Sequence, residues 1–517
     1  MTSSRQQITV QAYLRLDSPL HVGALRGDRA VDMRIVRNAA GALVLPGTSL
    51  KGVLRASYHQ DDNELWGDAK ENGAARITVH DSAFGFGGEL AKLDVREGVS
   101  LSRFWGTAVD GLLFSREFVP ASEHLRTSFE VRLPEGGHAD GGCHCSACEI
   151  VDVLRAGLRV GAATSTGNGL VTLCGEPNIA VVTFDPSGMW ELLTRPVQDL
   201  PVAHECPERP AAPTGGGARV STAIHWRARG PVMSKVAVTG GLVDAAPLAR
   251  VMGNEVRLLL PGSSLKGSLR ARAEWIIRSI AGLSSSDRDG FPASARTAKG
   301  QLEYLNESAR IGGSEASEGW GPVGLLFGAA SFGRSAKGHK GAIIVRDCLS
   351  RSIADAGEWG ELKRMAEASP PSDKKDRAKK CGQLDTAARK MSLIMATRVA
   401  VDRWTGGALD GALFTSLDPY LTKKGEWGPL EIEVDTARLG PLRDASLGLL
   451  WLVLSDLADG EFGFGFGQTR GYGSIEVESA LADVWLPFTM TSEPMEPAAL
   501  VAKLVDAIDR RTDGGAL

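Results

Sequence analysis

The chain has 517 residues, 43% of them hydrophobic and 23% charged, with a formal net charge of −4. That length exceeds what one hydrophobic core supports, and the near-neutral balance excludes a global positive field, so any nucleic-acid contact must be a local basic patch. No apolar run is long enough to cross a bilayer or follows Met1 as a signal peptide would, which predicts a cytoplasmic protein without a membrane partner; the seven cysteines then favour metal ligands or free thiols over disulfides.

In chain order, Ile8–Leu16 alternates apolar and polar residues as a half-buried strand does. Asp32 follows in the segment 31–38, which has the composition of an exposed loop. Leu45-Pro-Gly-Thr-Ser-Leu-Lys-Gly-Val-Leu-Arg-Ala56 then opens a helix, with Ser49 as its candidate cap. Lys51 and Arg55 lie four apart and share a helix face, and small residues with free helix-start N–H groups beside them make a candidate phosphate cradle. Strands are predicted at 76–80, 128–133 and 170–173. Between the last two, Cys143, Cys145 and Cys148 place three thiols within six residues, a spacing that suits a structural tetrahedral Zn²⁺. His138 is the preferred fourth ligand, with His144, His124 and Cys174 as alternatives. A glycine-rich connection, 161–169, precedes the last strand.

The same landmarks return in the same order. Leu260-Pro-Gly-Ser-Ser-Leu-Lys-Gly-Ser-Leu-Arg-Ala271 matches the earlier dodecamer at 10 of 12 positions, which brings Ser264, Lys266 and Arg270 into correspondence with Ser49, Lys51 and Arg55. Asp244 corresponds to Asp32, although it stands three residues farther from its Pro-Gly. Ile343–Asp347 matches Ile77–Asp81, and Leu409–Phe414 matches Val109–Phe114. Gly465–Gly473 matches Gly161–Gly169. The second glycine segment interleaves Phe464, Phe466 and Tyr472 with Arg470. One reading makes it a loop for single-stranded nucleic acid, Tyr472 stacking a base and Arg470 meeting a phosphate. The other makes it a tight helix-to-strand connection with core aromatics.

The duplication predicts an α+β chain of two tandem ferredoxin-like units: residues 1–200 with the zinc-binding insertion, a Pro- and Gly-rich linker at 201–217, and residues 218–517. The second copy also carries polar insertions near 284–321 and 351–390, the latter including Lys374–Lys380, which read as solvated and partly disordered excursions. Leu447–Leu454 reads as a buried helix, Cys348 as a core thiol and Cys381 as an insertion thiol.

His21-Val-Gly23, the repeated Pro-Gly-Ser/Thr-Ser-Leu-Lys-Gly-x-Leu-Arg segment, Arg403–Phe414 and the terminal glycine-rich loop together resemble the RAMP superfamily. More narrowly they resemble the backbone subunits of type III CRISPR effector complexes, here two fused in one chain. The resemblance implies RNA-recognition-like folds that bind guide RNA and stack with other effector subunits in antiviral defence. It also implies a thumb-like element that wedges into the guide–target duplex and splays one nucleotide. An aspartate in the loop before the Pro-Gly segment then cleaves target RNA: Asp32 in the first copy, with Asp28 as a competitor, and Asp244 in the second. A carboxylate there can take the 2′-hydroxyl proton or hold Mg²⁺, the latter suiting an ordinary aspartate at neutral pH better. A non-catalytic guide-binding scaffold and a guide-processing endoribonuclease are the alternatives; His21 is read as structural.

Overall fold

The computed structural model describes residues 6–24, 31–58, 63–67, 74–84, 93–103, 108–121, 123–132, 146–183, 185–195, 219–238, 240–283, 298–330, 338–489 and 496–512. It separates into two compact units, Met1–Leu101 with Ala108–Ala218, and Ser102–Thr107 with Arg219–Leu517. Residues 201–217, expected to be a linker, lie outside the described residues.

In the first unit the elements that position the site are β1 (Gln6–Leu16), α1 (Gly47–Ser57), β2 (Ile77–Val79), β3 (Asp94–Leu101), β4 (Ala108–Phe118), β5 (His124–Arg132), α2 (Ser146–Ala156) and β6 (Leu170–Leu173). β1 is central, which is why Ile8, Val10, Leu14 and Leu16 are all buried. It pairs antiparallel with β5 on one side and β6 on the other, and β2 pairs antiparallel with β5. The order across the sheet is therefore β2-β5-β1-β6, with α1 leading from β1 to β2 and α2 from β5 to β6. Two β-α-β units are interleaved in one antiparallel sheet. Leu50 and Leu54 of α1 and Ile150 and Leu154 of α2 join Phe129 and Ile8 in the core.

The second unit repeats this plan with β7 (Arg219–Ile224), β8 (Trp226–Ala228), β9 (Lys235–Ala237), β10 (Ala245–Pro247), α3 (Gly262–Ile280), β11 (Ile343–Val345), α4 (Ala356–Glu367), α5 (Lys374–Lys390), β12 (Leu393–Val401), β13 (Ala408–Pro419), β14 (Leu430–Asp435), α6 (Arg443–Ala458) and β15 (Ile475–Val477). β7 and β11 flank β14, and β8, set off from β7 at His225, pairs with β15. Val220, Thr222 and Ile224 of β7 turn inward at the period of two that a half-buried strand requires. α6 buries Leu447, Leu449, Leu450, Val453 and Leu454, as expected of a helix that is apolar all round.

Residues 351–390 are not a disordered excursion. They complete a strand, Cys348–Asp355, and form α4 and α5, the first opened by an Asp355/Glu358 capping box and the second by Asp373, whose carboxylate accepts from the N–H groups of Lys375 and Asp376. Leu362 and Ala366, then Leu384 and Ala388, anchor the two helices on the core. Composition misled here because each polar helix needs only two buried side chains to dock. In the other insertion Ala298–Ser308 is a helix, and 284–297 lie outside the described residues.

Candidate functional site

Asp32 and Asp244 occupy the same rung of the two units. The Asp32 N–H donates to Ser115 Oγ (3.0 Å), and its Oδ2 accepts from the Ser115 N–H (2.7 Å) and hydroxyl (2.9 Å). Asp244 donates its N–H to the Thr415 carbonyl (2.7 Å) and accepts the Thr415 N–H on Oδ2 (2.7 Å). The next residues match too: Met33 bridges Arg116 in parallel, and Ala245 pairs in parallel with Ser416. The three extra residues before the second Pro-Gly therefore do not shift Asp244 out of register. Both aspartates are exposed. The Ser115 N–H, then its hydroxyl, hold the Asp32 carboxyl below the usual carboxylate range. The Thr415 hydroxyl instead meets Thr397 Oγ1 (3.1 Å). Ser115 and Thr415 were missed in the sequence, although each immediately follows a matched Leu-Phe pair. Asp28 lies outside the described residues.

The clamping residues sit on two equivalent hairpins. β3–β4 pairs Val99 with Leu113 and Leu101 with Ala108, and β12–β13 pairs Val399 with Leu413 and Val401 with Ala408, so both hairpins shift register at the same place. Val99, Leu101, Leu113, Val399, Val401 and Leu413 are exposed, and Trp404 at the second tip is 97% exposed. Apolar side chains held in water along a two-stranded ribbon mark a surface that meets something else.

The repeated helix-start segment is first of all a structural lock. The Gly47 N–H donates to Asp81 Oδ1 (2.8 Å) and the Gly262 N–H to Asp347 Oδ1 (2.9 Å), so these distant aspartates cap the helices. Ser49 and Ser264, expected as caps, make no capping bond. Lys51 Nζ donates to the Ile77 carbonyl (3.1 Å) and Lys266 Nζ to the Ile343 carbonyl (2.9 Å), each tying its helix to the strand that precedes the capping aspartate. Lys266 is only 7% exposed, which corrects its expected place in an open phosphate cradle. Arg270 is occupied by Glu274 (2.6 Å) and the Gly328 carbonyl, while Arg55, exposed, reaches the Gly67 carbonyl. At the helix starts the segment leaves Thr48, Ser263 and Ser264 exposed and Ser49 half-buried; a Cβ on the exposed Gly52 or the half-buried Gly267 would meet nothing within 4 Å. A glycine inside a helix costs about 1 kcal/mol against alanine, and among the described residues nothing packs closely enough to require it at these two places.

Burial, with Arg270 and Lys340 nearby, depresses the Lys266 ammonium from 10.5 to about 7. Between those values the unfolded chain binds a proton that the folded chain does not, so stability rises with pH. The melting temperature of the second unit should rise from about pH 7 to pH 9, and Lys266→Met should flatten that rise. Above pH 9 the Cys348 thiol, pushed up to about 12 by burial, works in the opposite direction.

The glycine-rich connections are tight turns built by contact with their own units. Gly161 (φ +82°) and Gly465 (φ +84°) would drive a Cβ to 2.3 Å from the His21 carbonyl oxygen and 2.4 Å from that of Met233. Phe464 is core, and Tyr472 is 6% exposed with its hydroxyl on the buried Asp418, which Arg398 Nη2 also meets at 2.8 Å. Burial first, and then Asp418, pushes the Tyr472 hydroxyl up to about 12. Tyr472 therefore holds the loop to β13 and does not offer a ring to a base. Arg470 is exposed, its guanidinium 4.8 Å from the Phe466 ring centroid. His21 is structural: it is buried, its Nδ1–H donates to the Glu117 carbonyl (2.7 Å), and burial lowers its pKa.

Among the described residues no group of three or more His, Cys, Asp or Glu side chains is placed to hold a metal. Each exposed aspartate thus supplies one carboxylate, a donor set that fits Mg²⁺, which takes one or two carboxylates and fills its shell with water and phosphate oxygens. Of the proposed zinc ligands, His138, Cys143 and Cys145 lie outside the described residues; Cys148 is buried in α2 with its sulfur in a disulfide.

A family model described as the RAMP superfamily matches residues 13–172 and 254–476, one region in each unit. No curated protein matches the chain. Among solved structures, a chain of the type III-B Cmr-beta complex in its apo state aligns at 12% identity, covering 32% of this chain and 96% of its own, with a TM-score of 0.27. A chain of the same complex bound to cognate target RNA gives the same values. No helix among the described residues is long and apolar enough to cross a membrane.

Proposed function

Because the chain belongs to the RAMP superfamily, we propose that it is a fused double backbone subunit of a type III CRISPR ribonucleoprotein, two ferredoxin-like units that bind guide RNA and cleave complementary target RNA. The observation that carries this reading is the duplicated clamp: an exposed aspartate at the base of an apolar hairpin, held by Ser115 in one unit and Thr415 in the other. Guide RNA would lie along the exposed faces of α1 and α3, where Ser49, Ser264 and the open glycines let a backbone approach, with Arg55 and Arg470 meeting phosphates. The hairpins, Trp404 foremost, would wedge between guide and target and splay one target nucleotide.

Splaying can bring a 2′-oxygen in line with the adjacent phosphorus. The 2′-oxygen then bonds to phosphorus as its proton leaves, and the bond to the 5′-oxygen breaks as that oxygen takes up a proton. The products are a 2′,3′-cyclic phosphate and a 5′-hydroxyl. Asp32, held ionised, is a weak base at neutral pH, which favours a positioning or Mg²⁺-holding role; a bound Mg²⁺ would supply charge stabilisation. A structural zinc on His138, Cys143, Cys145 and Cys148 belongs to the same proposal and requires Cys148 as a thiolate in place of its disulfide.

The test is to purify the full chain with guide RNA and its neighbouring subunits, and to add complementary target with Mg²⁺ or with EDTA. Guide-dependent, Mg²⁺-dependent cutting with cyclic-phosphate ends is expected. Intact target would leave the scaffold reading, and discrete cleavage of repeat-containing precursor RNA by the isolated chain would favour the processing reading. One positioning effect follows. Ser115→Ala removes a hydrogen bond that favours the ionised Asp32 carboxyl, so the acid limb of the pH–rate profile for that cut should move to higher pH. Ser115→Thr, which restores a hydroxyl, should return it.

A further inference from the structure

Helix α5 is unlike the rest of the molecule. In a chain of net charge −4, its 17 residues carry seven basic and two acidic side chains. Residues 374–380 are all exposed, and only Leu384 and Ala388 are buried. Arg389 pairs with Asp385 (2.7 Å); among the described residues Lys374, Lys375, Arg377, Lys379, Lys380 and Lys390 enter no ion pair.

This arrangement works against the helix that carries it. Lys374 and Lys375 sit at the positive end of the macrodipole, where a cation is unfavourable. Lys375 and Lys379 form an unfavourable like-charge i, i+4 pair. Asp373 at the cap and Asp376 in the first turn offset only part of that excess of positive charge. Charges set at some cost to local stability are characteristic of a functional surface.

The cations also form a line. Lys375, Lys379, Thr386 and Lys390 share one face about 22 Å long, at 1.5 Å per residue. Lys379, Gly382, Gln383, Thr386, Ala387 and Lys390 line a shallow depression of about 400 Å³. At Gly382, in its floor, a Cβ would meet nothing within 4 Å, so a strand can come close to the helix.

The middle of α5, at Lys380 and Gln383, lies beside the Asp244 loop. The Leu242 N–H donates to the Ala366 carbonyl at the end of α4 (2.8 Å), and Gly241 is packed so closely that a Cβ would stand 2.3 Å from that same oxygen. Leu242, Lys380 and Gln383 share a neighbouring cleft, and Asp385 accepts the Met395 N–H of β12 (3.3 Å). α4 and α5 thus buttress the loop two residues from Asp244.

We propose that the exposed face of α5 is a docking rail for the phosphate backbone of single-stranded RNA, continuous with the Asp244 site. RNA is favoured over an acidic protein because α5 exposes no large apolar side chain of the kind the core of a protein interface buries. The proposal rests on the RNA-binding reading above and adds where a strand lies outside the cut site.

The test uses the full chain and a labelled oligouridylate of about 20 nucleotides, with affinity measured over a salt series. Lys375→Gln/Lys379→Gln/Lys390→Gln should weaken binding about tenfold or more at low salt, and should reduce the slope of log K on log salt by about 2, at roughly 0.7 per phosphate contact. A control triple at the exposed Lys423, Lys424 and Lys503 should leave both as in the wild type. Unchanged affinity and slope in the α5 variant, or an equal loss in the control, overturns the rail. So does a glutamate oligopeptide that displaces RNA from α5 as effectively, per charge, as oligouridylate does. Target cutting is scored separately with the aspartate variants. An α5 variant that binds RNA normally, beside aspartate variants that fail to cut, removes the rail and leaves the cleavage assignment standing.

Discussion

Replacing Asp32 and Asp244 together with alanine should lower target cleavage by about 100-fold or more, the order of loss expected when a positioning or Mg²⁺-holding group is removed, while guide RNA remains bound. The loss should be specific because both carboxylates are exposed and contribute nothing to either core. What each truncation removes locally is the acceptor for Ser115 or Thr415. Asp32→Asn and Asp244→Asn keep side chains that can still accept those hydrogen bonds and lose only the charge. Their failure to cut would identify charge, not loop geometry, as the requirement. Each single variant should retain at most one cut, since the two clamps belong to separate units.

Asp347→Ala should be the most destabilising of the substitutions considered. The Asp347 carboxylate caps α3 through the Gly262 N–H and pairs with Arg250, and both side chains of that pair are largely buried. Removing one partner of a buried pair costs about 3–5 kcal/mol. For a unit of this size that is a fall in melting temperature on the order of 10 °C, measurable by calorimetry on the full chain. Asp81→Ala, at the equivalent but exposed position of the first unit, should cost only about 1 kcal/mol as a lost helix cap. The inequality of these two results is the prediction. Asp347→Asn, which keeps an oxygen for the Gly262 N–H, should fall between wild type and alanine.

The repeat made much of this architecture legible before any coordinates. Matched landmarks in one order predicted two α+β units, and Ile8–Leu16, Leu170–Leu173 and Leu447–Leu454 fall where their patterning put them. The aspartates were findable because their spacing from the Pro-Gly segment is nearly kept. Their clamps were not, because Ser115 and Thr415 act across a sheet pairing that no local spacing reports. The lysines of the repeated segment were misplaced for a related reason. A Lys four residues before an Arg predicts a shared face, but only tertiary packing decides that Lys266 turns inward to the Ile343 carbonyl. Glycine and aromatic residues at 463–473 carried the same ambiguity. Alternation of Phe, Tyr and Gly describes a stacking loop and a buried turn equally well, and the burial of Phe464 and Tyr472 selects the turn. In the insertion, charge density masked two docked helices, since a helix rich in charged residues can be anchored by Leu362 or Leu384 with one neighbour each.

The central claim is that two equivalent aspartates make two cuts. The most direct measurement maps the 5′ ends of fragments released from one guide-complementary target by the wild-type complex and by the Asp32→Ala and Asp244→Ala variants. The wild type should give two guide-directed breaks, with each variant losing a different one and keeping the other. Both breaks persisting in both variants, with guide and target bound, would contradict the account.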